Sequence, residues 1–217
     1  VAAILQPLSG DISAKDVAKR QPAKLAALEA HYKTSTHAGF VFGGIPNNKT
    51  EQVDYAIHVP GLLSYLAHGD FNAEVIGLDK FPKEERPPVV ITHVAFQIMI
   101  LSGCLLALAG LLFIIFSTRW KKINKKKWWL VFIAWLTPIG FIAVEAGWTV
   151  TETGRQPWII YGVMKTKDAV STMPGLQYSF YSIMAVYVLL TIIIIWLMRK
   201  HIARLQTDYP SAKIETE

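Results

Sequence analysis

Three long apolar runs, Val89 to Ser117, Trp128 to Val150 and Tyr178 to Met198, constrain this chain more than any other feature. Each reaches the ~20 residues that an α-helix needs to cross the hydrocarbon of a bilayer. A backbone in that medium must satisfy its own polar groups, so each run is expected as a transmembrane helix. Composition agrees, because 52% of the 217 residues are hydrophobic and seven are Trp, too apolar a balance for an ordinary soluble domain. The expected fold is an all-α membrane protein with three full transmembrane helices (89–117, 128–150 and 178–198), a short amino-terminal helix remnant and a large loop.

Charge sets the expected orientation. The net charge of +6 is concentrated at Arg119, Lys121, Lys122, Lys125, Lys126 and Lys127, between the first two runs, and at Arg199, Lys200 and Arg204, after the third. Threading three helices puts both clusters on one side, and the positive-inside rule makes that side the cytoplasm. Residues 1–88 and 151–176 then face outward, the body 89–198 lies in the membrane, and 199–217 is a cytoplasmic tail. Orientation accounts for the basic residues, so nucleic acid is not an expected partner. Cys104 stands alone within a span and gives no disulfide framework.

The opening Val1 to Leu8 is apolar, lacks a basic start and stops at Ser9-Gly10. It reads as the end of an earlier helix rather than a signal peptide, and with no initiator Met it suggests a processed product or half of a split subunit. Pro22 followed by an Ala/Leu run predicts a helix over 21–30. The glycines and the Pro-Asn-Asn of 39–48 predict a short extended piece with turns, Ile57 to Gly69 a helix lying at the interface, and Phe81 to Pro88 a stiff charged lead into the first span. Beyond His201 the tail is expected to fray.

The end of the second run carries the most chemistry. An ionisable group inside a membrane helix costs roughly 2.5–3.5 kcal/mol on insertion scales, which makes it a functional candidate by default. Glu145 and Glu152 lie seven residues apart on one helical face, with Trp148 between them. Such a face suits a buried cofactor or a proton path. Glu152 also lies three residues before Arg155, and spacing alone leaves open a simple ion pair at the membrane edge.

Gly154-Arg155-Gln156-Pro157-Trp158, preceded by Glu145-Ala146-Gly147-Trp148 and Glu152, resembles the signature of cytochrome bd quinol oxidase subunit I. Three further stretches fit that resemblance in order: Lys24-Leu25-Ala26-Ala27-Leu28-Glu29 at the start of the quinol loop, Val75-Ile76-Gly77-Leu78 later in it, and Ala95-Phe96-Gln97-Ile98-Met99 in a haem-ligand helix. The resemblance covers nearly the whole chain and implies the carboxy-terminal part of a terminal oxidase that oxidises quinol on the outer face and reduces O2 to water.

Carried across residue by residue, the resemblance implies that Met99 is an axial ligand of the low-spin b haem, a soft donor that favours the reduced iron. It implies that Glu152 binds or closely supports the iron of the high-spin haem pair, that Arg155 pairs with propionates, and that Trp148 lies between haems. Lys24 and Glu29 match quinol-loop positions, where a carboxylate can accept a quinol proton; Glu145 is a further candidate on the face of Trp148. Haem b, low-spin and high-spin, and a d-type haem would be shared with a companion chain carrying the histidine ligands, beside a second subunit, accessory subunits, quinol, O2 and membrane lipid. A bacterial or archaeal cytoplasmic membrane is the implied location. Gln97 stands where well-known members have Arg, and His93 replaces an aromatic residue and is expected at a surface or interface. A non-catalytic scaffold chain and a haem-free transporter component using Glu145 and Glu152 remain alternatives.

Overall fold

The computed structural model describes residues 2–119, 123 and 126–208. Lys121, Lys122 and Lys125 of the first basic cluster, and the tail from residue 209, lie outside the described residues. Helix α1 spans Ala2–Arg20 and α2 spans Pro22–Leu28. Short strands follow: β1 (Ser35–Thr36), β2 (Phe40–Phe42), β3 (Ile45–Asn47), β4 (Gln52–Asp54) and β5 (Ile57–Val59). Then come α3 (Leu62–His68), β6 (Glu74–Val75), α4 (Val89–Arg119), α5 (Lys127–Gly154), β7 (Trp158–Ile160), β8 (Met164–Lys165) and α6 (Leu176–Asp208). The chain divides into two compact units, 1–170 and 171–217.

Among the described residues, three helices are long and apolar enough to cross a membrane: the stretches Lys83–Arg119, Lys127–Gly154 and Leu176–Arg204. The mostly helical membrane architecture expected from the apolar runs therefore holds. In the first unit α4 and α5 pack as a pair. Trp129, near the start of α5, is buried with its ring edge against Phe116 at 5.0 Å between centroids. At the other end Thr92 and Thr153 join the helices through their hydroxyls at 3.1 Å. The second unit consists of the 171–175 turn and α6, whose described apolar side chains are exposed, as a helix facing lipid or another chain requires.

Above this pair the loop region builds its own small core. Strands β2 and β5 are antiparallel with Phe42 opposite Ile57; β3 pairs with β4 and β1 with β6. The buried side chains of Leu25, Phe40, Leu63 and Val75 meet beneath them. Helix α2 has Ala26 and Ala27 fully buried, and such small side chains let its backbone approach its neighbours closely. Its end is a Schellman motif: His31 N–H donates to Ala26 O at 2.8 Å and Ala30 N–H to Ala27 O at 3.3 Å, with Ala30 in the left-handed region at φ 47°.

Four expectations need correction, the simplest being the tail, where α6 continues past His201 to Asp208 instead of fraying there. The first helix does not stop at Ser9-Gly10 but continues to Arg20, carried by the i,i+4 ion pairs Lys15–Asp11 and Arg20–Asp16, each 2.7 Å. Residues 57–69 are not one helix, because Ile57–Val59 is drawn into a ladder with Phe40–Phe42 and α3 starts only at Leu62. His93 is not at a surface: it is 0% exposed, enclosed by α2 and the turn after β2.

Candidate functional site between α2, α4 and α5

Helical periodicity gives α4 two working faces. His93 and Gln97, four residues apart, turn toward the loop region; Phe96, Met99 and Ile100 turn toward a cavity of about 500 Å³. That cavity is also lined by Lys24, Leu25, Leu28 and Glu29 of α2 and its cap, and by Gly147, Val150 and Thr151 of α5. Its volume lies in the range of about 300–1,000 Å³ typical of small-molecule sites, and its wall is mostly apolar with a few polar groups.

Of the residues expected from sequence, Met99, Lys24 and Glu29 are thus brought onto one cavity although 70 residues separate Glu29 from Met99. Gly147 stands against the thioether. A Cβ at that position would come within 3.2 Å of Met99 Sδ, so glycine keeps the sulfur clear. The importance of Gly147 was not apparent in the sequence, where it is one small residue among many in a membrane helix.

Glu29 is 2% exposed, and its Oε2 is buried without a hydrogen-bond partner. Burial pushes its carboxyl up to about 8 from the usual carboxylate range, opposed by the Val41 backbone N–H. A group in that range changes charge near neutral pH, as proton transfer demands. Lys24 reaches from the cavity toward the last turn of α5, where a Cβ on Gly154 would touch its Cγ and Cε at 3.2 Å. Burial lowers the Lys24 ammonium from its ordinary value, and the Arg155 guanidinium adds to this while the Glu152 carboxylate works against it. Among the described residues Lys24 and Glu29 form no ion pair with each other.

Glu145, Trp148 and Glu152 do not reach the cavity. They occupy the opposite face of α5 from Gly147, Val150 and Thr151, as a seven-residue spacing on one helix requires. Trp148 is 68% exposed and Glu145 exposed, so this face is open to whatever adjoins it. Glu152 accepts a hydrogen bond from Arg155 Nη2 at 2.6 Å, with both side chains about two-fifths exposed. The ion pair suggested by the spacing therefore exists, and it leaves Glu152 accessible.

Gln97 uses both ends of its amide on the loop: Nε2 donates to Val41 O at 2.7 Å, and Oε1 accepts from Gly43 N–H at 3.1 Å. It is an anchor for the turn after β2. The fit to haem chemistry rests on a half-buried thioether at the wall of an apolar cavity and, separately, on an accessible carboxylate paired with a guanidinium. The described residues hold no group of three or more His, Cys, Asp or Glu side chains placed to hold a metal ion. Met99 and Glu152 stand at two different places, one on the cavity wall and one in the ion pair with Arg155.

The family model for cytochrome bd terminal oxidase subunit I matches residues 1–206. The chain belongs to that family. A cytochrome bd ubiquinol oxidase subunit 1 of Bacillus subtilis (strain 168) is 32% identical over 91% of the chain and 45% of its own length. A second B. subtilis protein, provisionally named a cytochrome bd menaquinol oxidase subunit I, is 35% identical over 93% of the chain and 46% of its own length. The solved structure of bd oxidase from Geobacillus thermodenitrificans superposes with a TM-score of 0.79 at 35% identity, covering 93% of this chain and 46% of that one. The chain spans about half the length of the curated relatives it matches. Family membership and three apolar helices make it a multi-pass bacterial membrane protein and a bd-type oxidase component.

Proposed function

We propose that the chain supplies the quinol-oxidising edge of a bd-type terminal oxidase, with quinol entering the cavity from the outer side. The convergence of Lys24, Glu29 and Met99 on one apolar cavity carries this reading. Apolar walls suit the ring and tail of a quinol, and of the polar groups lining them, Asp11, Ser13 and Thr151 included, Lys24 and Glu29 are the ones assigned to orient its hydroxyls. A quinol becomes quinone by losing two electrons and two protons. In its carboxylate form Glu29, buried and without a partner at Oε2, takes one proton from a hydroxyl as the electrons depart. Lys24, its ammonium weakened by burial, holds the other hydroxyl oxygen. Both protons leave on the outer side, where residues 1–88 lie in the orientation set by the basic clusters.

Bound b- and d-type haems supply one-electron acceptance and the four-electron, four-proton reduction of O2 to two waters. Met99 would hold the low-spin haem with a neutral thioether, a ligand that would raise its potential and suit it to accept electrons. The exposed face of Glu145, Trp148 and Glu152 would adjoin the high-spin pair, where Glu152 would support an iron and Arg155 would pair with a propionate. The histidine ligands come from the amino-terminal half of subunit I, and subunit II and accessory chains complete the complex. Relatives named for menaquinol and for ubiquinol leave both quinones as candidate substrates.

The test is Glu29→Gln in the whole complex, assayed with quinol and with an artificial donor that bypasses the quinol site. The expected result is slowed quinol oxidation with donor-driven O2 uptake retained. Equal loss with both donors, or no loss with either, would overturn the quinol site.

A further inference from the structure

His93 sits 0% exposed in the second turn of α4, and its ring lies between two carbonyls from different elements, either of which can accept from a ring N–H. Nδ1 lies 2.7 Å from Leu28 O and Nε2 3.2 Å from Gly43 O. The Leu28 carbonyl belongs to the last turn of α2, where helix geometry leaves carbonyls without intrahelical partners. The Schellman bonds take Ala26 O and Ala27 O, and Glu29 N–H takes Leu25 O at 3.1 Å. Leu28 O remains for His93, which therefore caps α2 from another helix. The next residue in the chain is Glu29, whose carboxyl lines the cavity.

Gln97, one turn on, fixes the same turn as Nε2 of His93, since it accepts from Gly43 N–H at 3.1 Å. The node thus joins three parts: the end of α2, the glycine turn after β2, and α4, which carries Met99 on its neighbouring face. We propose that His93 is a positioning residue for quinol oxidation, which holds the Leu28 carbonyl and thereby sets the Glu29 carboxyl in the cavity. This rests on the quinol reading of that cavity. The shorter contact, to Leu28, is the one that matters for Glu29; the Gly43 contact serves the turn.

The two ring nitrogens can be tested separately, because Asn places an amide nitrogen near the position of Nδ1 and Gln near that of Nε2. Purified complexes carrying His93→Phe, His93→Asn and His93→Gln are compared for quinol KM, for kcat and for O2 uptake with an artificial donor. One lost hydrogen bond is worth about 1 kcal/mol, so the Phe and Gln variants are expected to raise quinol KM about fivefold to tenfold with donor-driven uptake unchanged. Asn is expected to stay within about threefold of the parent, a rescue that mere filling of space would not give. If His93→Phe fails to assemble, the Asn and Gln variants decide alone. Equal quinol KM in Asn and Gln, or failure of the Asn variant to assemble, would overturn the role. Glu29→Gln run alongside separates the two levels: normal quinol kinetics there overturns the quinol site itself, whereas impaired kinetics with indistinguishable His93 variants overturns only the positioning role.

Discussion

Glu29 concentrates the chemistry at the scale of single residues, because it is an acid enclosed by apolar walls with one oxygen unpartnered. Its carboxyl is raised to about 8 by burial, so the folded state holds a proton that the unfolded chain releases near the ordinary 4.5. Between those values the unfolded state binds fewer protons, and stability falls as pH rises from about 4.5 to about 8. Replacing Glu29 with Gln removes this dependence. The expected outcome is that thermal unfolding midpoints of the parent complex and of Glu29→Gln lie close together at pH 5 and separate at pH 8.5, the parent being lower. A few kcal/mol is the order of the penalty for ionising so buried an acid. Parallel midpoints across that range would show that Glu29 is solvated in the complex.

At the scale of elements, the turn joining β2 to β3 is the part most dependent on backbone conformation. Gly43 and Gly44 both lie in the left-handed region, at φ 69° and 83°. Around Gly43 a Cβ would find open space, while on Gly44 it would meet Val53 Cγ1 at 2.6 Å and Asp54 O at 2.8 Å. Gly43→Ala therefore carries only the conformational penalty of about 1–2 kcal/mol, and Gly44→Ala adds a clash with backbone. The expected order of unfolding midpoints is parent, then Gly43→Ala, then Gly44→Ala; the reverse order of the two variants would contradict the packing. The spans were legible in the sequence because some 20 apolar residues admit one structure in a bilayer. The length of α1 was legible in principle from the Asp11/Lys15 and Asp16/Arg20 spacing, but Ser9-Gly10 looked like a stop. The β2–β5 ladder and the burial of His93 were not legible. Strand partners are chosen by tertiary contact, and the partners of His93 are backbone carbonyls 65 and 50 residues away, which leave no mark in residue type.

Across the whole molecule, α5 separates two sets of side chains by its faces. Gly147, Val150 and Thr151 close the cavity with α2 and α4, and Glu145, Trp148 and Glu152 look the other way. That second face, with Trp148 exposed between two carboxylates, is the one proposed above to turn to the high-spin haems. The family resemblance proposes the roles of these residues, and the fold supplies their division into two places. The two donors should therefore fail independently. The measurement that bears most directly on this is the reduced-minus-oxidised optical spectrum of the purified complex with Met99→Leu and, separately, with Glu152→Ala. Met99→Leu keeps the side-chain volume and removes the donor atom, so the low-spin b band should be lost or converted while the high-spin b and d-type bands persist. Glu152→Ala should give the converse, depleted high-spin bands with the low-spin band intact. An unchanged spectrum in Met99→Leu, or loss of the same bands in both variants, would contradict the assignment of two separate haem contacts to this chain.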